Sequence, residues 1–367
     1  MNQWFRLAVV FIVASMLVGA CQSAGTQTPV VIPTVPQAAL TSAAGSLKIG
    51  LVTVSGKVDD TPFNQSVWEG LKRAEGELGA VIETGAEAQA GDYAASINGL
   101  VRDGCSVIVT AGAALSNATR ESAKAHADVL FIGVDQAQGE ALANLAVIGF
   151  AEDQAGFLVG ALAAQLSKTG KVGAVFGTDA DVPTWRFGEG YRNGALHIDP
   201  KIEVELAYHN NEGADQSSLN PQRLQKSAVD MTNRKFDLIY GAGIDGSNGF
   251  LLGVNAPGTP GSDYTIQMGG GQSYAVPGAK ELAAGSSFKA SDATLYNLVR
   301  QVKEGSFTGG MTPGAVGYKA HPGLEPEVPA EVATKMAELS AALQDGSLKT
   351  DVAAEPPVVD ICESCHW

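Results

Sequence analysis

Short, near-continuous apolar runs alternate along the chain with longer stretches whose apolar residues recur every three or four positions. The first pair is the clearest. Leu47–Val54 is apolar almost throughout, which predicts a strand covered on both faces. Asn64–Leu78 carries Val67, Leu71, Ala74 and Leu78 at helical spacing, with Glu69, Lys72 and Glu75 on other faces, which predicts an amphipathic helix. Between them Ser55–Phe63 reads as a polar loop. Further strand-like runs follow at Ala80–Ile82, Val107–Val109, Val129–Val134, Ala146–Phe150, Val172–Phe176, Ile202–Leu206, Leu238–Tyr240 and Tyr264–Met268, with amphipathic stretches between most of them. Strands alternating with helices predict parallel pairing. These runs are too many for one compact sheet. Lys48-Ile49-Gly50-Leu51-Val52 is echoed by Lys171-Val172-Gly173-Ala174-Val175, which points to two similar lobes, the second opened by a helix over Gln154–Ser167.

The first loop carries the earliest candidate chemistry. Asp59, Asp60, Phe63 and Asn64 fall at the carboxyl end of the first strand, where ligands bind in open α/β sheets. Two carboxylates, an aromatic and an amide beside a helix N-terminus make a recognition loop for a small molecule. The competing reading is a capped helix whose Asp residues serve only backbone N–H groups.

The ends of the chain have their own patterns. One positive residue, Arg6, precedes the apolar run Leu7–Val18, which is too short to span a membrane and predicts a secretory signal over residues 1–20. Gly19-Ala20-Cys21 looks like a bacterial lipobox, with Val18 where Leu is more usual. It implies cleavage before Cys21 and a lipid on that sulfur; the alternative is an ordinary signal with an incidental cysteine. Gln22–Gly45 has no charge, and Pro29, Pro33 and Pro36 favour extended backbone, so residues 21–45 read as a tether off a membrane. The expected location is the cell membrane, lipid-anchored, on the extracytoplasmic face.

Charge and cysteines narrow the function. A formal net charge of −15 argues against a nucleic acid polymer and against adhesion to anionic headgroups. The 44 glycines and 7% aromatics suit an α/β protein with many tight turns. Cys105, at the entrance to the run Val107–Val109, reads as a buried thiol. Cys362, Cys365 and His366 form a Cys-x-x-Cys-His motif, the attachment signature of c-type haem. A disulfide or a metal site are the other readings of that tail. It follows a Pro-containing linker, with neither an apolar pocket nor a second axial ligand nearby.

Several blocks, in order, resemble the basic membrane protein family of lipoprotein solute-binding subunits of ABC transporters, whose well-understood members bind purine nucleosides. They are Lys48–Thr53, Val58–Gly70, Phe131–Asp135, Phe150 with Glu152, Gly156–Gly160, Gly170–Gly173, Pro183, Arg186-Phe187, Gly190-Tyr191, Gln272–Tyr274, Pro277-Gly278, Lys289 and Asp292. The resemblance implies an α/β type I periplasmic-binding fold: two Rossmann-like lobes, three crossovers and a hinged cleft. The expected boundaries are residues 46–149 with 272–315 in lobe one, 150–271 with 316–349 in lobe two, and 350–367 as tail. It also implies that Phe63 stacks on a planar ligand and that Asp135 and Lys289 face it. Three positions depart: Val54 stands for an acid, the loop from His209 lacks the second aromatic clamp, and Gly269 stands where the ribose-binding acid belongs.

Trp185 could replace the missing clamp, its alternative being lobe-core packing, and Asp245 and Asn248 lie on a Gly-rich loop, 241–249, that would line the cleft. His209, Glu212 and Asp215 read as solvated rather than as a metal site. No catalytic constellation stands out, so no enzyme is expected. The sequence therefore predicts a monomeric receptor for a small planar solute, nucleosides among the candidates, with an ABC transporter permease and the membrane as partners. The alternative is a redox protein carrying a c-type haem on its tail.

Overall fold

The computed structural model describes residues 47–54, 62–84, 92–137, 139–176, 182–208, 221–241, 264–268, 283–320 and 328–356. The expectations for the signal, the tether, Cys21, Asp59, Asp60, the loop from His209, Asp245, Asn248, Gly269 and the Cys362–Cys365–His366 motif fall outside those residues. The described elements run β1 (Lys48–Thr53), α1 (Pro62–Leu78), β2 (Val81–Thr84), α2 (Tyr93–Arg102), β3 (Val107–Ala111), α3 (Ser116–Ala125), β4 (Leu130–Val134), β5 (Leu145–Gly149), α4 (Glu152–Leu166), β6 (Lys171–Phe176), α5 (Val182–Ile198), β7 (Glu203–Tyr208), α6 (Pro221–Asn233), β8 (Leu238–Gly241), β9 (Tyr264–Met268), β10 (Ala283–Ala290), α7 (Asp292–Glu304), β11 (Gly310–Pro313), β12 (Ala315–Ala320) and α8 (Ala330–Gln344).

The strands form two six-stranded sheets, β11-β5-β4-β3-β1-β2 and β12-β10-β9-β8-β6-β7. Each position in the first order has a counterpart in the second. Pairing is parallel throughout except between β10 and β12. The echoed pentapeptides are β1 and β6, the equivalent first strands. Their lysines make equivalent ion pairs to the neighbouring edge strand, Lys48–Glu83 and Lys171–Glu203, both 2.7 Å. This is the two-lobed type I arrangement.

Each sheet is buried by its own helices. The continuous apolar character of β3 and β4 is that of strands covered on both faces, and every residue in both is buried. One core joins β1, β3, β4 and β5 to α1 and α7 through Ile49, Leu71, Ile132 and Val299. On the other face Val52, Ile108 and Phe131 pack with Ile97 and Leu100 of α2. Cys105 belongs to that core; burial, then Glu83, pushes its thiol up to about 11. In the second lobe α4, α5 and α8 cover β6 and β8, with Leu162, Tyr191, Tyr240 and Met336 among the buried residues.

The chain passes between lobes three times: from β5 to α4, from β10 to α7, and from β11 to β12. Two passes touch, since Gly314 N–H donates to the Gly149 carbonyl at 2.7 Å. A Cβ at Gly314 would lie 2.3 Å from the Phe150 ring, so a larger residue there would displace that ring. Sheet pairing corrects one expected boundary. Residues 283–290 pair with β9 and β12 in the second sheet, so they belong to lobe two rather than to lobe one with 272–315. The chain returns to lobe one at Ser291, where Ser66 of α1 caps α7 by accepting from the N–H groups of Ser291 (3.0 Å) and Asp292 (3.3 Å).

Candidate binding cleft

In both sheets the strand order reverses around the first strand, between β1 and β3 and between β6 and β8. Crevices for ligands open at the carboxyl ends of strands at such points. At the first of them the helix begins earlier than the sequence predicts. Pro62 is its first residue, a position that proline's fixed φ favours, so Phe63 sits with Asn64 in the first turn of α1 rather than in the loop. Phe63 is half-buried against the first lobe's core and Asn64 is buried. Val54 is half-buried against the core on the sheet's other face, so an apolar side chain ends β1.

Asp135 follows β4 with φ of 57°, a left-handed conformation that few residues other than Gly, Asn and Asp adopt. Such strain concentrates at functional positions and persists only where the surroundings enforce it. Here they do. The Asp135 N–H donates to the Ile148 carbonyl at 2.9 Å. The next residue, Gln136, is buried, and its amide donates to the Thr110 carbonyl (3.2 Å), the Thr110 hydroxyl (3.0 Å) and the Gly112 carbonyl (3.2 Å). Thr110 in turn shares a 2.8 Å hydrogen bond with Thr119 of α3. A buried, mutually satisfied amide–hydroxyl network of this kind rigidifies the loop it supports.

Lys289, next to the last residue of β10, comes from the other lobe. Its ammonium donates to both Asp135 oxygens, at 3.0 and 3.2 Å, and pairs with Glu152 at 3.0 Å. It also lies 5.3 Å from the centre of the Phe150 ring, within cation–π range. Burial alone would lower the Lys289 pKa. Asp135, then Glu152, outweigh it, and the net shift is upward from 10.5, so the ammonium stays charged. Glu152 and Asp153, both buried, open α4, where carboxylates suit the positive end of the helix dipole. One cation facing two carboxylates leaves the cluster with an excess negative charge. That suits a ligand that donates hydrogen bonds and disfavours an anionic one.

The second lobe adds the start of α5. Trp185 is half-exposed there, while Phe187, one turn-face away, is buried with its ring stacked on Tyr240 at 4.9 Å. Phe187 is thus a residue of the second lobe's core. Arg186 pairs with Asp153 at 2.5 Å. The helices α4 and α5 meet closely enough for this because glycines line their contact: a Cβ at Gly156, Gly160, Gly190 or Gly194 would fall 1.9–2.2 Å from a backbone carbonyl oxygen of the facing helix.

The structure therefore brings Asp135 and Lys289 together. Glu152 and Phe150 enter the cluster without having been assigned a role from sequence, as do Gln136, Asp153 and Arg186. Two adjacent acids opening an apolar helix, Glu152-Asp153, were the available signal. Among the described residues no group of three or more His, Cys, Asp or Glu could hold a metal ion. No helix among them is long and apolar enough to cross a membrane.

Comparison with known proteins agrees with this architecture. Residues 47–315 match the family described as ABC transporter substrate-binding protein, PnrA-like. A Listeria monocytogenes protein named CD4+ T-cell-stimulating antigen is 27% identical over 375 residues, covering 94% of this chain and 97% of its own. A Lactococcus lactis protein named ABC transporter nucleoside-binding protein BmpA is 33% identical over 166 residues, 44% of this chain and 47% of its own. Among solved structures, ABC transporter solute-binding proteins from Aeropyrum pernix and Conexibacter woesei superpose with TM-scores of 0.65 and 0.67 at 22% and 20% identity. They cover 83% of this chain each, and 92% and 98% of their own. At that identity the likeness establishes the fold.

Proposed function

Because the chain belongs to the PnrA-like family of ABC transporter substrate-binding proteins, we propose that it captures a small planar solute in the cleft between its lobes and delivers it to a transporter permease. One observation carries the reading. Lys289 from the second lobe reaches Asp135 on the first, at a left-handed position held by a buried network. In this reading Phe63 stacks on the ring, Asp135 accepts its hydrogen bonds, and Trp185 approaches from the second lobe. Asp60, Asn64, Asp245 and Asn248 complete the assigned set. Lobe closure by hinge bending sequesters the solute.

The protein works on the extracytoplasmic face as a monomer, held to the membrane by a lipid on Cys21. Mass spectrometry of membrane-extracted protein tests the anchor: a diacylglyceryl-modified N-terminal Cys21 is expected, and an unmodified mature chain refutes it.

The Lactococcus relative's name makes nucleosides the first ligands to try. Val54 and Gly269 argue for a difference. A hydroxyl held by a carboxylate makes a charge-assisted bond about twice as strong as a neutral one. Without the ribose-binding acid at Gly269 and the base-contacting acid at Val54, inosine binds weakly and a planar solute with fewer hydroxyls is preferred. Calorimetric titration with inosine and with hypoxanthine decides this. Tighter binding of the base supports the reading, and sub-micromolar inosine binding overturns the ligand preference.

A further inference from the structure

The segment that follows α8 is tied back onto the second lobe. The Leu348 N–H donates to the Ala342 carbonyl at 2.9 Å, and Thr350 is buried. The Thr350 carbonyl accepts from the Asn193 amide of α5 at 2.9 Å, and its hydroxyl donates to Asp153 Oδ2 at 2.5 Å. Arg186 takes Asp153 Oδ1. Both oxygens of Asp153 are therefore held from outside its own helix, one by α5 and one by the C-terminal segment. Thr350 lies beyond the residues 47–315 that match the family.

Asp153 is adjacent to Glu152, the second carboxylate on Lys289. The backbone of that turn is closed by the Gln154 and Ala155 N–H groups on the Ala151 carbonyl, which leaves the side chains of Glu152 and Asp153 to be held by partners elsewhere. The residue before α4 is Ala151, without a side-chain cap, and only Phe150 and Ala151 separate β5 from the helix. Successive helical side chains point about 100° apart. With Asp153 anchored to α5 and to the segment from α8, Glu152 is turned to a different face, where it meets Lys289.

We infer that Thr350 is a positioning residue: its hydroxyl fixes Asp153, thereby aims Glu152 at Lys289, and so makes the C-terminal segment a working part of the cleft. This deepens the proposed function and takes its importance from that reading, but its test needs no ligand. Lys289 faces Asp135, Glu152 and the Phe150 ring. Removing the Glu152 contact frees its amine to react.

The experiment is competitive acetylation of the full chain with acetic anhydride, read by peptide mass spectrometry, with the half-exposed Lys72 of α1 as internal reference. Thr350→Val is expected to raise the Lys289-to-Lys72 ratio by ~3- to 10-fold, because losing the Glu152 contact lowers the Lys289 pKa and enlarges the free-amine fraction. Thr350→Ser, which keeps the donor, is expected to behave as wild type. Should Thr350→Val not fold, Asn193→Ala loosens the segment at its other anchor and is expected to raise the same ratio. A variant with a lowered melting temperature but an unchanged ratio shows that Thr350 only stabilises the lobe, and overturns the inference. Failure to bind any solute would sink the receptor reading while leaving this ratio as informative as before.

Discussion

Lys289 concentrates the physical argument in one residue. Its two ion pairs differ in kind, because Glu152 belongs to the same lobe as β10 and Asp135 to the other. Both partners are largely shielded from water, so removing the cation leaves two carboxylates facing each other. Lys289→Met is expected to cost roughly 3 kcal/mol, near the lower end for losing one partner of a buried pair. The pH dependence follows from the raised Lys289 pKa. A group held protonated in the folded state contributes fully below its unfolded pKa of 10.5 and loses that contribution as pH rises through the higher folded value. Urea denaturation of wild type and variant should therefore show the stability difference constant near neutral pH and shrinking above about pH 10.5. A difference that instead grows with alkalinity contradicts the account. The role of this lysine came from family resemblance alone, since its octapeptide Ala283–Ala290 contains no apolar run that marks a strand.

At the scale of elements, most of the scaffold was legible and its joints were not. Strands such as β3 and β4 are read from unbroken apolar runs because a parallel strand under helices on both faces cannot alternate. By contrast β10 and β12 are rich in Gly, Ala and Ser, β11 is only the four residues Gly310–Pro313, and all three sit at edges or crossovers, where burial does not demand bulky side chains. Phe63 was placed in a loop although it lies four residues before Val67 on the same face and packs on the same core; Pro62 at the first helical position was the start signal that went unread. The glycines of α4 and α5 were visible as Gly156–Gly160 and Gly190–Tyr191, yet the reason for them is a tertiary contact. That reason predicts a contrast between two alanine substitutions in helices. Gly160→Ala drives a Cβ toward the Tyr191 carbonyl and should cost about 1–3 kcal/mol or more through overpacking. Gly76→Ala, on the exposed face of α1 with nothing within 4 Å, should stabilise by about 0.5–1 kcal/mol. Thermal denaturation of the two variants checks both signs. Equal effects would mean that α4 and α5 are not in close contact.

For the whole molecule, the doubled sheet order supplies two crevices, and the crossovers place them around one group of charges. The Lys289–Asp135 contact bridges lobes and the Lys289–Glu152 contact does not, so on the proposed reading opening the cleft would break the first and keep the second. A solute that bonds Asp135 and stacks on Phe63 competes for and replaces that bridge. The central claim is thus that binding depends on both lobes' residues at this one place. Calorimetric titration of hypoxanthine into wild type, Phe63→Ala and Asp135→Ala addresses it most directly. Phe63→Ala is expected to lose about 1–3 kcal/mol of binding free energy, by analogy with base–aromatic stacking, which is roughly 5- to 150-fold in Kd. Asp135→Ala should weaken binding as well, because ligand donors are left unpaired. Wild-type affinity in both variants would contradict it and move the binding site away from the cleft.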